Sequence, residues 1–323
     1  MRRRQFLALG AGLVPLVAGC GTVPGPRERA LAASTIALVV PGPQGCGADR
    51  AARCLGGLAR REGLVRGVQV ADRPGSAALT EFTGTRTGTR RLLVVELETV
   101  ALARAGRQAQ AFAGTTPLAR LCGEWELIAV PAASGLGSFG AFADAMRRDP
   151  SSMSVAGRAE GGVDHIMFGM LAQSLGVDPR LPRYVACRSC DDAAGATSGG
   201  LADAVLGSPA GLRHRVRAGE LRVLAVSAPD RVPGLDAPTL LECDTHLYCA
   251  DWRALLGPGD LPPDDRDALV AMCRSVTATA SWREHCRRNG WTSLYLDGDD
   301  FGQWLRVESA RLGRTLGDLG LRA

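Results

Sequence analysis

Apolar positions in this chain fall into short runs separated by glycine loops, and each run is followed by a stretch of helical period. Residues 35–40 (TIALVV) form a β-branched run of strand length, apolar on both faces, and residues 41–47 (PGPQGCG) then lead into a helical stretch over residues 49–62. The same order recurs at residues 153–156, 157–162 and 164–175, where Ile166, Met167, Met170 and Leu171 share one helix face. A third unit has a strand at 183–186, the loop 187–190 and a helix opening on Asp191 and Asp192. In the fourth, a strand at 202–206 precedes a helix over 210–218, with Ser208 placed to cap it and Pro209 in its first turn.

This alternation predicts an α/β fold with mainly parallel sheets, whose ligand lies beyond the carboxyl ends of the strands. The last third adds helices over 263–277, 281–289 and 299–319 around a strand at 293–296. Strand runs at 127–130 and 221–226 flank the middle segment. They predict a discontinuous first lobe, 34–128 plus 228–323, with a second lobe, 129–227, inserted in it.

The N-terminus departs from the pattern. Arg2, Arg3 and Arg4 precede an apolar run over residues 6–18 that is too short to span a bilayer, the form of an export signal. Arg3-Arg4-Gln5-Phe6-Leu7 is similar to the twin-arginine export consensus, and Val17-Ala18-Gly19-Cys20 to a lipobox that leaves Cys20 as the lipid-modified first residue. Residues 1–20 therefore read as a signal peptide with lipobox, and residues 21–33 as a tether from the membrane, with order beginning near Ser34. Cleavage removes three arginines and no acid, taking the formal charge from +5 to +2, so export rather than nucleic acid accounts for much of the basic excess.

Composition narrows the chemistry. At 46% hydrophobic and 22% charged, the 323 residues can bury one or two ordinary cores. All 38 basic residues are arginine, which excludes Schiff-base and P-loop lysine chemistry. His165, His214, His246 and His285 lack the spacing of a catalytic zinc site, and no cofactor motif is present; Gly45-Cys46-Gly47 lacks the third glycine of a dinucleotide fingerprint. Setting Cys20 aside leaves nine of the 10 cysteines. Cys187/Cys190 and Cys243/Cys249 are the close pairs expected to form disulfides, with at least one thiol left free; a redox-active dithiol is the other reading of Cys187-Arg188-Ser189-Cys190.

The segments VVPGPQGCGADRAARCLGGLARR, VADRPGSAA, AGRAEGGVDHIMFGML, DRVPGLDAPTLLE and ADWRALLGPGDLP occur in that order. Together, over about residues 35–316, they resemble the extracytoplasmic solute-binding proteins of tripartite tricarboxylate transporters, the Bug family. The resemblance implies a two-lobed type II periplasmic-binding-protein fold that delivers small organic carboxylates to membrane permease subunits. It also implies a ligand site at Gly45, Cys46, Gly47 and Asp49, at Gly75 and Ser76 after Arg73-Pro74, at Gly161, Gly162, Val163 and Asp164, and at Cys187, Ser189 and Ser208. Three departures stand out: Cys46 where glycine is usual, Ala48 and Val163 where hydroxyl residues are usual, and Ala186-Cys187 where Pro-Tyr is common. The missing hydroxyls remove donors to a carboxylate and leave the ligand's identity open.

The chemistry of such a site also follows from the residues alone. Helix N-termini present unpaired N–H groups and about half a positive charge. Glycines at 45, 47, 161 and 162 let the backbone approach an anion closely and adopt positive φ. Asp49 either caps its own helix or meets a ligand hydroxyl or amine, and Asp164 and His165 carry the same two readings. Arg53, one turn beyond Asp49, is placed for an ion pair with it, and Trp252 for core packing or stacking at the lobe boundary. Two other functions fit the sequence: a ligand-binding sensor lipoprotein signalling to a membrane kinase, and a cysteine-dependent enzyme using Cys46, Cys187 or Cys190 with His165 as base.

Overall fold

The computed structural model describes residues 25–73, 77–84, 90–105, 112 and 114–321. The export signal, Cys20, Gly75 and Ser76 lie outside the described residues. The tether expected over residues 21–33 gives way at its end to a helix, α1 (Pro26–Ala32). Its first turn is fixed locally: proline suits that position, and the Gly25 N–H donates to the Glu28 carboxylate at 2.7 Å. Leu31 then packs on the core, and Arg27 reaches Asp265 at 3.6 Å, contacts that apolar periodicity cannot reveal.

From there β1 (Thr35–Val40), α2 (Gly47–Arg61), β2 (Gly67–Asp72), α3 (Ala77–Gly84), β3 (Arg91–Glu96), α4 (Leu97–Ala105) and β4 (Thr115–Trp125) begin the first sheet. The second sheet comes from β5 (Leu127–Pro131), α5 (Phe139–Arg148), β6 (Ser154–Gly157), α6 (Val163–Ser174), β7 (Arg183–Ala186), α7 (Cys190–Ser198), β8 (Ala204–Gly207), α8 (Pro209–Arg217) and β9 (Leu221–Val226). The chain returns through β10 (Ala250–Pro258), α9 (Pro263–Thr277), α10 (Ala280–Asn289), β11 (Thr292–Asp297) and α11 (Gly298–Asp318). Strand orders are β11-β4-β10-β3-β1-β2 and β7-β6-β8-β5-β9.

Both sheets are mixed, not mainly parallel. The strand–glycine–helix units pair in parallel, β1 with β2 and β3, and β6 with β7 and β8. The strands by which the chain enters each sheet from the other run antiparallel to their neighbours, β10 against β3 and β4 and β5 against β8 and β9, and β11 adds a further antiparallel pair with β4. Leu127 and Ile128, expected at the end of the first lobe, pair with Gly207 and Leu206 of the second sheet. The crossovers hold one another. Glu126 N–H donates to Ser227 Oγ, Ser227 N–H donates to Glu126 O, both at 2.9 Å, and Ser227 Oγ donates to Cys249 O at 2.6 Å.

Alternation along the strands divides the first sheet's core. Ile36, Leu38, Val40, Leu92, Val94 and Leu255 face a layer that includes α2, α9 and α10. Val39, Leu93, Val95, Trp252, Ala254 and Leu256 face the other side, where the core runs without interruption into the second lobe through α6. Close helix contact makes that continuity possible, since a Cβ on Gly169 of α6 would lie 2.9 Å from Thr315 of α11.

All nine described cysteines are free thiols, so neither close pair forms the expected disulfide. Cys190 opens α7 with its sulfur against Gly207 and Gly211, whereas the Cys187 thiol turns back to the Val185 carbonyl at 3.6 Å. Cys249 is buried and Cys243 half-buried. The thiols that the fold does bring together are Cys122 of β4 and Cys286 of α10.

Neighbouring glycines in α2 test the packing. A Cβ on Gly56 would overlap Val68 of β2, and one on Gly57 would meet nothing within 4 Å. Gly56→Ala should therefore cost about 1–3 kcal/mol by overpacking, while Gly57→Ala should add about 0.5–1 kcal/mol through helix propensity. Chemical denaturation of the two variants checks both signs.

Candidate ligand site

The apolar face shared by β3, β4 and β10 turns acidic where these strands meet the second lobe. β3 ends on Glu96, and Glu98 follows in the first turn of α4. β4 places Cys122 and Glu124 on one face, and Glu126 follows at the crossover. Antiparallel β10 sets Asp251 opposite Glu124, and Arg253 opposite both Cys122 and Glu96. Strand alternation thus puts Glu96, Glu124, Asp251 and Arg253 on one face.

Two guanidinium groups anchor the cluster. Arg253, only 3% exposed, donates from Nη2 to Asp251 Oδ2 at 2.8 Å and from Nη1 to Asp251 O at 2.9 Å. Its Nε lies 3.8 Å from Glu96, and its plane sits 4.7 Å from the Trp291 ring centre. From the second lobe, Arg158 donates to both oxygens of fully buried Asp164, with Nη2–Oδ1 at 2.7 Å, and lies 3.5 Å from Glu126. The Arg158 backbone is fixed as well: its N–H donates to Asp164 Oδ2 at 2.7 Å, and Tyr184 donates to its carbonyl at 2.7 Å.

Six carboxyl groups (Glu96, Glu98, Glu124, Glu126, Asp164 and Asp251) therefore share two guanidiniums. Burial, reinforced by Asp251, pushes the Glu96 carboxyl up to about 7. Burial also raises Glu98, Glu124 and, with Asp164, Glu126, which goes well above the glutamate range. For Arg158 and Arg253 burial acts downward, but the neighbouring carboxylates outweigh it and hold both more firmly protonated. Both Glu126 oxygens, Glu124 Oε1, Asp251 Oδ1 and Arg253 Nε are buried without a hydrogen-bond partner.

The glycine loops identified from the sequence converge on this cluster from opposite sides. At the N-terminus of α2 the Ala48 N–H lies near the Glu96 carboxyl group and favours its charged form. At the N-terminus of α6, Glu98 Oε1 lies 3.9 Å from where a Gly162 Cβ would stand. Glu96 and Glu98 belong to one turn, so that turn joins the two loops. Glu124 reaches a third helix end, where Ser208 and the Ala210 N–H at the start of α8 favour its charged form against burial.

The individual expectations divide. Gly45 (φ 85°) and Gly161 (φ 74°) adopt the positive φ that favours glycine. Gly47 and Gly162 do not; Gly47 is required because a Cβ there would overlap the Arg253 guanidinium. Asp49 caps its own loop, accepting from the Gly45 N–H at 2.8 Å, and pairs with Arg53 at 2.7 Å. The Cys46 sulfur caps α2, accepting from the Asp49 N–H at 3.4 Å. Asp164 holds Arg158, and His165 Nδ1 accepts from the Gly161 N–H at 3.1 Å while its ring stacks 4.0 Å from Tyr184.

Val163 packs into the core, and Ser189 and Ser208 cap α7 and α8. Trp252 is core packing, with its indole N–H donating to Glu308 at 3.3 Å. Burial raises the thiols of Cys46 and Cys187 and takes Cys190 to about 11, so none is an activated nucleophile. Among the described residues no cysteine sulfur hydrogen-bonds a histidine. Arg158, Arg253 and the acids of β3, β4 and β10 were not identified from the sequence; the available signal was charge interrupting apolar strand runs, as in VVELE, GEWEL and ADWRALL.

A family model described as the tripartite tricarboxylate transporter family receptor, TctC, matches residues 110–321. The chain belongs to this receptor family. A TctC solute-binding protein from Polaromonas superposes with a TM-score of 0.77 at 21% identity, covering 88% of this chain and 99% of that one. MatC from Rhodopseudomonas palustris with bound malate gives 0.65 at 20% identity, with 88% and 99% covered. Another R. palustris protein, with adipate, gives 0.68 at 17% identity, with 89% and 97% covered. No curated protein matches the chain. The receptor thus has the two-lobed type II binding-protein fold, built here from two mixed sheets flanked by helices.

The buried acids give the receptor a defined pH response. Groups whose folded pKa is raised bind protons more tightly when folded, so their contribution to stability declines as pH rises, for Glu96 between the usual 4.5 and about 7. Exposed Glu284, held at about 2 by Arg287 and Arg288, acts in the opposite sense at lower pH, and His165 and His285, lowered from 6.5 by burial, oppose the four raised glutamates as pH falls below that value. The melting temperature should therefore be higher near about pH 5 than near about pH 8. Glu126→Gln should flatten that slope; an unchanged slope would remove the buried cluster as its source.

Proposed function

We propose that this chain is an extracytoplasmic, lipid-anchored receptor that captures a small organic carboxylate between its lobes and delivers it to the permease subunits of a tripartite tricarboxylate-type transporter. The lobes divide at the Glu126 and Ser227 crossovers, and closure about them brings the loops at Gly45–Gly47 and Gly161–Gly162 around the solute. The observation that carries this reading is the meeting of those two loops, one from each lobe, at the Glu96–Glu98 turn in a chain of the receptor family. Malate and adipate in solved structures of similar fold support a carboxylate of that size. The twin-arginine and lipobox motifs support export and anchoring through Cys20.

Two experiments test the two halves of this reading. Cys20→Ser should move the protein from the membrane to the soluble extracytoplasmic fraction, and Arg3→Lys with Arg4→Lys should retain a folded precursor in the cytoplasm. For the ligand, a thermal-shift screen of mono-, di- and tricarboxylates should give hits that add roughly 2.7 kcal/mol at ~100 times Kd. Gly47→Val should weaken any hit at least tenfold, about 1.4 kcal/mol, and should also lower stability because the new side chain displaces buried Arg253. A hit left unchanged by Gly47→Val lies outside the proposed site.

A further inference from the structure

We propose that the solute held between the lobes carries a cationic nitrogen, an ammonium or guanidinium group, besides its carboxylate. This rests on the receptor reading and names its ligand class: an amino-carboxylate rather than a di- or tricarboxylate.

Three observations carry it. The first is charge: six carboxyl groups face two guanidiniums, and both guanidiniums are already engaged, Arg253 with Asp251 and Glu96, Arg158 with Asp164. The second is the set of unfilled acceptors. Glu126 is fully buried with neither oxygen hydrogen-bonded, and its nearest cation, Arg158, stands at 3.5 Å. Glu124 Oε1 and Asp251 Oδ1, register partners across β4 and β10, are likewise buried and unpartnered. An ammonium has three N–H donors and no acceptor, which matches acceptors in excess of donors. The third is that two helix ends suited to an anion already face carboxyl groups of this chain, Glu96 near the Ala48 N–H at α2 and Glu124 near the Ala210 N–H at α8. A second carboxylate on the solute would enter among excess carboxyl groups.

Matched pairs separate the two chemistries. Calorimetric titration of the full exported chain with γ-aminobutyrate against succinate, and with ε-aminohexanoate against adipate, should show at least tenfold tighter binding of the amino-carboxylate in one pair. Glu126→Gln keeps the shape and removes the carboxyl group that a bound cation would hold ionised, so it should abolish that preference with the circular dichroism unchanged. Glu124→Gln serves as the second variant if the first fails to fold. Equal or tighter binding of the dicarboxylate in both pairs overturns the cationic ligand and leaves the carboxylate receptor standing. A preference for the amine that survives both variants also overturns it, because the nitrogen then lies elsewhere. Silence from both members of both pairs removes the cationic ligand and the carboxylate reading together.

Discussion

Burying charge where two lobes meet governs much of this molecule. A carboxylate taken out of water is tolerated only if it is paired, hydrogen-bonded or protonated. Asp164 takes the first two routes, with Arg158 closing on both of its oxygens. Glu126, with no hydrogen bond, takes the third, and its raised affinity for a proton follows from burial beside Asp164. The same constraint reaches into the backbone. Arg253 must lie flat between Asp251 and Trp291 to hold its end of the cluster, and only glycine at position 47 leaves room for it at the head of α2.

That cluster sits on the path by which the chain passes between lobes. Glu126 and Ser227 are joined through their backbones, so both crossovers are tied at one point with a buried acid on one of them. On the far side the lobes share a continuous core through α6 and α11. Any relative motion of the lobes therefore has to preserve the apolar contact and pivot near the charge. A change in the charge state of Glu126 is felt at the pivot itself.

The sequence was legible where structure is local. Strand, loop and helix follow one another within a few tens of residues in each parallel unit, and these units, the cap at Ser208 and the C-terminal helices stand within a few residues of where periodicity puts them, while the cap at Ser189 was not foreseen. What escaped was non-local. The antiparallel placement of β10 and β5 depends on how the chain returns between sheets, which no window of sequence records. The CxxC spacing suggested a bridge, but Cys190 points under α8, and the thiols that do meet, Cys122 and Cys286, are 164 residues apart. The acidic cluster was hidden for the same reason, since each strand contributes only one or two of its members.

The departures from the family pattern become coherent once the cluster is in view. Ala48 and Val163 lack the hydroxyls that relatives of this type commonly place at these helix starts. In this chain the Ala48 N–H lies near Glu96, and the start of α6 faces Glu98, so acids of the chain itself stand where a hydroxyl would otherwise face the solute. The chain supplies from its own β3–α4 turn the negative charge that a helix terminus attracts. What the described residues do not supply is a hydrogen-bond donor for either Glu126 oxygen, for Glu124 Oε1 or for Asp251 Oδ1. Helix ends that face the chain's own acids, beside buried acid oxygens without a donor, set the electrostatic demand that the proposed amino-carboxylate would meet on a fold shared with the family.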